Sequence, residues 1–223
     1  MITAMAEPLT KSARTRQRIL DAAAKVFREQ GYAHARLSDI AEQAGIQTGS
    51  LYYHFDSRDE IVDEILRLGI ETAWQHVRDA LDALPADATP LERLAAAIRA
   101  HTNAVLEISD YSSAQARIVG QIPPEIRKRH MGDQRRYGEY WNELLEAAAA
   151  AGEIRIDTDL FVVRMLAFGA MNWTAEWYRP RAGASADVVA DEAVAFLLHG
   201  LAPAGLAQDG SARVRVRRTQ NRK

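Results

Sequence analysis

The chain has 223 residues, of which 48% are hydrophobic and 26% charged, and its formal net charge at pH 7 is −2. These values are those of an ordinary globular protein with one large domain or two small ones. The absence of cysteine excludes a disulfide framework and a cysteine-ligated metal. No apolar run reaches membrane-spanning length and no signal-peptide region begins the chain, so we expect a cytoplasmic protein.

Charge is distributed unevenly along the chain. Residues 1–58 hold eight Lys and Arg against six Asp and Glu, residues 59–202 hold 14 against 23, and residues 203–223 hold six against one. An acidic body repels DNA, so phosphate contacts are expected in the basic N-terminal region. The tail, 203–223, is expected to be disordered, and its arginines either add non-specific DNA attraction or form a solvated segment.

The first helix is predicted over 12–30, after a flexible arm over 1–11. Apolar residues recur there at three- and four-residue steps, and Gly31 is expected to end the helix. Arg16 is one of four cations at the helix start, which either contact DNA phosphates or are simply solvated. Cations oppose the helix dipole at that end, which favours phosphate contact.

Residues 37–55 predict two short helices joined by a tight turn. The first covers about 37–44, and Gly45 ends it because glycine adopts the left-handed conformation without a side-chain clash. The second starts near Gln47 and continues through His54. This is the helix-turn-helix arrangement, whose second helix usually lies in the major groove of DNA.

Several segments of the head match a known family in order. They are Arg18-Ile19-Leu20, Ala22-Ala23, Phe27, Gly31-Tyr32, Asp39-Ile40-Ala41, Ala44-Gly45-Ile46, Gly49-Ser50-Leu51-Tyr52 and His54-Phe55. Residues 12–66 thereby resemble the DNA-binding domain of the TetR family, the tetracycline-repressor-like regulators. The resemblance implies a DNA-binding head over 12–56 and a ligand-binding and dimerisation body over 57–202.

Ten residues are predicted to contact DNA phosphates or base edges. They are Arg16, Arg36, Ser38, Gln47, Thr48, Gly49, Ser50, Tyr53, His54 and Arg58. Arg36 stands where the family commonly has a capping threonine, so a cap worth about 1 kcal/mol is expected to be lost. Thr48 stands where the family often has lysine, so a lysine contact is not expected there. Tyr52 is predicted to pack in the core, and His54 to donate to phosphate rather than to bind a metal.

Six further helices are predicted after the head. Their approximate ranges are 57–84, 90–108, 112–119, 124–151, 158–178 and 186–199. Ser57 with Glu60 predicts a capping box, and Thr89, Pro90 and Glu92 predict a strong helix start. No segment alternates at period two for long enough to form a sheet, so the expected fold is all-α with about nine helices.

The last two predicted helices have apolar faces wider than one core requires. We expect them to form a four-helix interface with a second copy, which is how the resembling family dimerises. The residues expected at this interface are Phe168, Met171, Val189, Phe196 and Leu197.

An uneven aromatic cluster on the seventh and eighth predicted helices predicts a ligand pocket in the body. The residues assigned to the pocket are His101, Gln115, Tyr137, Trp141, Asn172, Trp173 and Trp177. Packing between helices is the alternative for any single aromatic side chain. Residues 169–180 resemble the end of the eighth helix in TetR regulators that respond to acyl-CoA thioesters, which implies an effector of that class.

The expected function is a ligand-responsive transcriptional repressor that binds a palindromic operator as a homodimer and is released by a small apolar effector. No metal or cofactor is expected. The first alternative is an architectural DNA-binding protein without a small ligand, which the acidic body disfavours. The second is an all-α acyl-ester hydrolase, which is disfavoured because the sequence has no nucleophile elbow, paired-histidine zinc motif or glycine-rich phosphate loop.

Overall fold

A computed structural model describes residues 10–155, 157, 159–180 and 185–202; the predicted tail and most of the predicted arm lie outside these residues. The described residues form helices and connecting turns, which confirms the all-α prediction. The helices are α1 (Lys11–His34), α2 (Leu37–Gln43), α3 (Thr48–Leu51), α4 (Arg58–Asp82), α5 (Pro90–Asn103), a π-helix (Ala104–Ile108), α6 (Asp110–Ile118), α7 (Pro124–Ala150), α8 (Leu160–Trp177) and α9 (Ala186–Leu201). None of them is long and apolar enough to cross a membrane.

The head consists of α1, α2 and α3. Thr10 caps α1, since its hydroxyl accepts a hydrogen bond from the backbone N–H of Ala13. Gly31 interrupts α1 with a φ of 74°, and Gly45 follows α2 with a φ of 66°. Both values lie in the left-handed region that glycine adopts without strain, so the two predicted glycine stops are confirmed.

The helix α3 is shorter than predicted. It spans only Thr48–Leu51, and the backbone then turns: Tyr53 N–H donates to the carbonyl of Ser50, whereas Phe55 N–H donates to that of Leu51. Leu51 and Phe55 are buried, but Tyr52 is 59% exposed, so the prediction that Tyr52 packs in the core is wrong. The tightened turn places Tyr52 outside while its neighbour Leu51 fills the core.

The core of the head continues into the body. Besides the apolar residues of α1 to α3, one cluster of buried side chains contains residues of α4, α6 and the start of α7. The contributions from beyond α4 are Ala114, Ile118, Ile122 and Ile126. The head therefore has no separate core of its own.

A close approach of α4 and α6 depends on Gly69. A Cβ at this position would lie 2.6 Å from the carbonyl oxygen of Tyr111, and the side chain of Gln115 packs against the same spot. Ser112 donates its hydroxyl hydrogen bond to the carbonyl of Gly69 at 3.0 Å. Only a residue without a side chain allows the two helices to meet here.

The predicted helix boundaries are confirmed at some ends and corrected at others. The capping box of α5 is present, with Thr89 and Glu92 bonded reciprocally. Ser57 caps α4, but the carboxylate of Glu60 accepts from Asp56 N–H rather than from Ser57 N–H. The last five residues of the predicted fifth helix, Ala104–Ile108, form a π-helix, and α9 continues past the predicted end at His199 to Leu201.

A second core fills the body between the C-terminal half of α4, α5, α7, α8 and α9. Trp141 of α7 and Met171 of α8 are among its most enclosed large side chains, 2% and 0% exposed. This core is rich in aromatic rings, and His101, Tyr137 and Asn172 form a hydrogen-bonded group among them.

Candidate nucleic-acid interface and effector region

The turn and α3 expose a polar surface at one end of the head. Gln47, Thr48 and Gly49 are exposed, Ser50 and His54 are half-buried, and Tyr53 is 88% exposed. Leu51 and Phe55 point into the core from the same segment and fix its position. The exposed side chains can therefore donate hydrogen bonds to phosphates or base edges from a rigid support.

Arg36 lies exposed at the start of α2. Its backbone N–H donates to Oδ2 of Asp39 at 3.4 Å, and Ser38 donates its hydroxyl hydrogen bond to the other oxygen of that carboxylate. The carboxylate of Asp39 thus accepts a hydrogen bond at the start of α2, where the threonine cap common in the family is missing. The guanidinium of Arg36 makes no ion pair or hydrogen bond within the described part of the chain, so it is available for an outside partner.

Arg16, predicted as a DNA contact, is half-buried and already paired inside the protein. Its guanidinium pairs with the carboxylates of Glu64 at 2.9 Å and Glu60 at 3.6 Å, and it lies over the ring of Phe55 at 4.6 Å. These contacts join α1 to α4.

Arg58, the second predicted DNA contact outside α2 and α3, is also half-buried and engaged inside the protein. It donates hydrogen bonds to the carbonyl oxygens of Tyr32 and Ala35, and its guanidinium stacks 4.2 Å from the Tyr32 ring. Arg58 thereby fastens the start of α4 to the segment between α1 and α2. The eight other predicted DNA contacts all lie on α2, α3 and their flanking turns.

A buried polar group joins three helices of the body. His101 of α5 contacts the hydroxyl of Tyr137 through Nδ1 at 2.9 Å and Oδ1 of Asn172 through Nε2 at 3.0 Å. An amide oxygen only accepts hydrogen bonds, so Nε2 carries the proton and Tyr137 donates to Nδ1. Burial lowers the pKa of His101 to about 4, and burial raises the pKa of Tyr137, so both groups are neutral.

Aromatic rings enclose this polar group. The ring centroids of Trp141 and Phe168 lie 5.8 Å and 5.3 Å from that of His101, both in edge-to-face arrangements. Four residues predicted to bind ligand, His101, Tyr137, Trp141 and Asn172, are therefore brought together.

The other three residues predicted to bind ligand lie elsewhere. Gln115 packs against Gly69 between α4 and α6. Trp173 is 65% exposed, and Trp177 is also exposed, on the outer side of α8. Successive residues of a helix point about 100° apart, so Asn172 faces inwards while Trp173 faces outwards.

The outer side of α8 is apolar throughout. All eight of its exposed residues are apolar or glycine: Phe161, Val162, Met165, Leu166, Gly169, Ala170, Trp173 and Trp177. Val188 and Phe196 of α9 are exposed as well. We call Phe161, Val162, Met165, Leu166, Trp173, Trp177, Val188 and Phe196 the apolar face.

Only one of the five predicted dimer residues, Phe196, belongs to the apolar face, where it is 75% exposed. Met171 is 0% exposed and cannot contact a second chain, and Phe168 packs in the aromatic group around His101. Val189 packs near Leu106 and Tyr178, and Leu197 packs against the second core. The helix α8 is apolar on nearly all sides, so its sequence pattern did not distinguish the inner from the outer side.

Among the described residues, one cavity lies beside the second core and another lies between the head and the body. The larger, of about 1180 Å³, is bounded by the end of α4, residues 84–91, α5 and Val194. The smaller, of about 450 Å³, lies between α1, the π-helix, α6 and the end of α8. The side chains of His101 and Tyr137 line neither of them. The described residues contain no group of three or more His, Asp or Glu placed to hold a metal ion.

The helix α6 connects the head to the rest of the body. The hydroxyl of Tyr111 donates to Asp21 of α1 and accepts from Gln17, while Asp110 pairs with Arg28 of α1 at 2.6 Å. Burial, followed by the neighbouring Asp21, raises the pKa of Tyr111, so its hydroxyl remains a donor.

Two family models match this chain. "Bacterial regulatory proteins, tetR family" covers residues 19–65, and "Tetracyclin repressor-like, C-terminal domain" covers residues 87–201. Together they include the helix-turn-helix surface, the polar group around His101 and α9.

Named proteins are similar over most of the chain. The HTH-type transcriptional repressor KstR2 of Rhodococcus jostii is 34% identical over 196 residues, which are 84% of this chain and 91% of that protein. KstR2 of Mycobacterium tuberculosis is 30% identical over 195 residues, 86% of this chain and 94% of that protein. Its solved structure, titled a ketosteroid transcriptional regulator, matches with a TM-score of 0.68 over 91% of this chain and 99% of that one. The Bacillus subtilis fatty acid metabolism regulator protein is 29% identical over 163 residues, 70% of this chain and 79% of that protein.

Proposed function

Because the chain belongs to the TetR family of bacterial regulatory proteins, we propose that it is a homodimeric repressor that leaves a palindromic operator when a small effector binds its body. The observation that carries the proposal is the surface around α3. Exposed Gln47, Thr48 and Tyr53 are held there by the buried Leu51 and Phe55. Such a surface fits the major groove, where hydrogen bonds to base edges specify sequence.

Phosphate binding in this proposal falls to a few exposed groups. Arg36 supplies a cation at the start of α2, and His54 and Ser50 supply donors beside α3. Each neutralised phosphate releases counterions, so operator affinity falls with salt.

The homodimer is supported by the apolar face. Fully burying a side chain such as Leu166 or Phe196 contributes about 1.5–3 kcal/mol relative to leaving it in water. A patch of this kind marks an interaction surface, and depletion of charge is typical of an interface core. In a two-fold dimer every contact occurs twice, and two heads at a fixed spacing would recognise two half-sites.

The link from body to head is proposed to pass through α6. This helix is bonded to α1 through Tyr111 and Asp110, and on its other side Arg117 lies 3.9 Å from Glu176 of α8. An effector that binds one position of α6 better than another would shift the spacing of the two heads, whereas equal binding to both would change nothing.

The proposed effector is an acyl-CoA thioester. Support comes from the resemblance of residues 169–180 and from relatives named for fatty acid metabolism and for ketosteroid regulation. The acyl part would lie in the body, where a space would have to open among the packed rings around His101, Tyr137 and Asn172, since the side chains of these residues line neither cavity. The rim of the larger cavity has Asp79, Asp87 and Glu92 against Arg99, so this acidic rim would repel CoA phosphates.

The test is binding of the full chain to the DNA upstream of its own gene, followed by fluorescence anisotropy at fixed salt with competitor DNA. Saturable binding that resists competitor and is released by one class of acyl-CoA would support the repressor and its effector class. Specific binding that no acyl-CoA releases, but that free fatty acids or sterols release, would contradict the effector class alone. Binding that competitor DNA abolishes would contradict the repressor at that site.

A further inference from the structure

The smaller cavity lies where the head meets the body. Its walls come from the second half of α1, the π-helix, α6 and the residues that end α8. Its volume of about 450 Å³ is within the range of about 300–1,000 Å³ that small-molecule sites occupy. Val105, Leu106 and Ala175 give it an apolar side.

Cations outnumber anions around this cavity. Arg28, Arg117 and Arg179 line it, against Glu29 and Glu107. Glu107 also accepts a hydrogen bond from the hydroxyl of Tyr178 at 2.8 Å, which occupies one of its oxygens.

The three arginines differ in how fully they are paired. Arg28 pairs with Asp110 at 2.6 Å and Glu29 at 3.6 Å. Arg179 donates to the backbone carbonyls of Tyr178 and Glu176. Both of these guanidiniums therefore have hydrogen-bond acceptors or paired carboxylates within the protein.

Arg117 is the least satisfied of the three. Its side chain is only 19% exposed, its nearest carboxylate is that of Glu176 at 3.9 Å, and its Nε is buried with no hydrogen-bond partner. A buried donor without an acceptor is costly, and a guanidinium is suited to carboxylate and phosphate groups. The Nε is enclosed and cannot itself reach a ligand, but the terminal Nη2 lies beyond hydrogen-bond distance of Glu176, so Arg117 is an underused cation at the wall of a partly apolar cavity.

We propose that this cavity binds a small organic anion, a carboxylate or a phosphate monoester on a short apolar chain, with Arg117 as its anchor. The apolar part of the anion lies against Val105, Leu106 and Ala175. Since Arg28 belongs to the head and Arg117 to α6, a bound anion connects the two and holds them in the present arrangement. The site is distinct from the polar group around His101, and its binding chemistry does not depend on the proposed effector.

The probes are four compounds that share a butyl chain or its four-carbon equivalent: butyl phosphate, butyrate, butanol and butylammonium. Binding to the full chain is measured by calorimetry and by thermal unfolding, at constant ionic strength. We expect saturable binding of at least one of the two anions and none of butanol or butylammonium. The preferred anion then identifies the source as phosphate ester or carboxylate.

Two arginine variants make the test specific. Arg117→Gln should weaken anion binding about tenfold or more, as expected for loss of a charged hydrogen bond. Arg135→Gln is the matched control, because Arg135 also has one carboxylate at 3.9 Å, that of Glu139, but its side chain is 77% exposed on α7. Its anion affinity should equal that of the unchanged protein.

A cavity-filling variant covers the case in which Arg117→Gln does not fold. Ala175→Leu keeps a good helix former and occupies the apolar side of the cavity, so it should also abolish anion binding. Equal binding of butanol and the anions, unchanged affinity in Arg117→Gln or Ala175→Leu, or no saturable binding of either anion would overturn the proposal. These measurements use no DNA, so failure of the repressor proposal would be recognised separately by operator binding.

Discussion

The α3 surface and the apolar face differ in what they require from a partner. Around α3, polar side chains such as Thr48 and Tyr53 already form hydrogen bonds with water. They are stabilised further only when phosphates or bases take the place of that water. On α8 and α9, large apolar side chains such as Leu166 and Phe196 remain exposed, and covering them is favourable with any matching apolar surface. The first surface fits a partner that binds and dissociates, whereas the second fits the lasting interface between copies that we propose.

The largest expected effect follows from placing a charge on the apolar face. Leu166→Asp should weaken dimerisation by more than about 3 kcal/mol, or over about 100-fold, because the lost burial occurs twice in a two-fold dimer. Sedimentation velocity measures the change. Met131→Asp is the control, since Met131 is similarly exposed but lies on α7, away from this face. Equal dimerisation of both variants would show that the apolar face is not the interface.

His101 of α5, which contacts Asn172 on the inner side of α8, gives a pH effect. Burial lowers the pKa of His101 to about 4 from 6.5, so the unfolded chain binds a proton that the folded chain does not between these values. Stability from the neutral His101 is therefore fully present above pH 6.5 and is lost as the pH falls towards 4, by about 3 kcal/mol in all. Urea unfolding from pH 7 to 4 should show a shallower loss for His101→Gln. Parallel curves would contradict the assignment; the buried His130, whose pKa is also lowered, contributes equally to both proteins.

A smaller effect is expected where the head core meets α6. Gly69→Ala places a methyl group 2.6 Å from the carbonyl oxygen of Tyr111, and overpacking of this kind costs about 1–3 kcal/mol. Gly132→Ala is its counterpart in α7, with open space around the added methyl group and a gain of up to about 1 kcal/mol in helix propensity. Urea unfolding should move in opposite directions for the two variants. A shift of the same sign would mean that α4 and α6 separate easily.

Removing a polar side chain from the α3 surface tests whether that surface contacts DNA. Tyr53→Ala should weaken operator binding by about 1–2 kcal/mol and leave the dimer and its unfolding free energy unchanged, because Tyr53 is 88% exposed. His54→Ala should act in the same direction. Anisotropy with the upstream DNA measures both, and unchanged affinity in both variants would remove these residues from the interface.

Substitutions of Arg36, before α2, and of Arg58, at the start of α4, should have different effects, the first on DNA binding and the second on stability. Arg36→Gln should lower operator affinity by about 1 kcal/mol and reduce the slope of log affinity against log salt concentration by about the amount expected for one phosphate contact. The free energy of unfolding should not change. Arg58→Gln should instead reduce the unfolding free energy by about 1–3 kcal/mol, because it removes hydrogen bonds to the carbonyls of Tyr32 and Ala35. Salt titrations of operator binding and urea unfolding distinguish them; a salt effect for Arg58→Gln alone would reverse the assignment.

Local signals in the sequence predicted much of the fold. The glycine stops at Gly31 and Gly45 and the caps at Ser57 and Thr89 depend on residues within one turn, and all four are found. The roles of the cations were missed for the opposite reason. Arg16 meets Glu64, 48 residues away, and Arg58 meets Tyr32, 26 residues away, so no local pattern indicates either contact.

The effector region shows the same limit within a single helix. Met171, Asn172 and Trp173 are consecutive, yet they lie in the core, against His101 and on the outer surface respectively. The α7 part of the aromatic cluster, Tyr137 and Trp141, was predicted, whereas its partner from α8 is Phe168 and not Trp173 or Trp177. The direction of each side chain was not predictable, because α8 lacks a polar side to set the rotation.

The shared core of head and body limits how this protein could be recombined with others. The cluster that covers α1 is completed by Ala114, Ile118, Ile122 and Ile126, which follow the head by more than fifty residues in the chain. A chimaera that fuses residues 10–57 to a foreign body would leave that side of α1 exposed to water. Exchanging the operator preference of this protein therefore requires either altering the few surface residues of α2 and α3 or transferring α4 and α6 with the head.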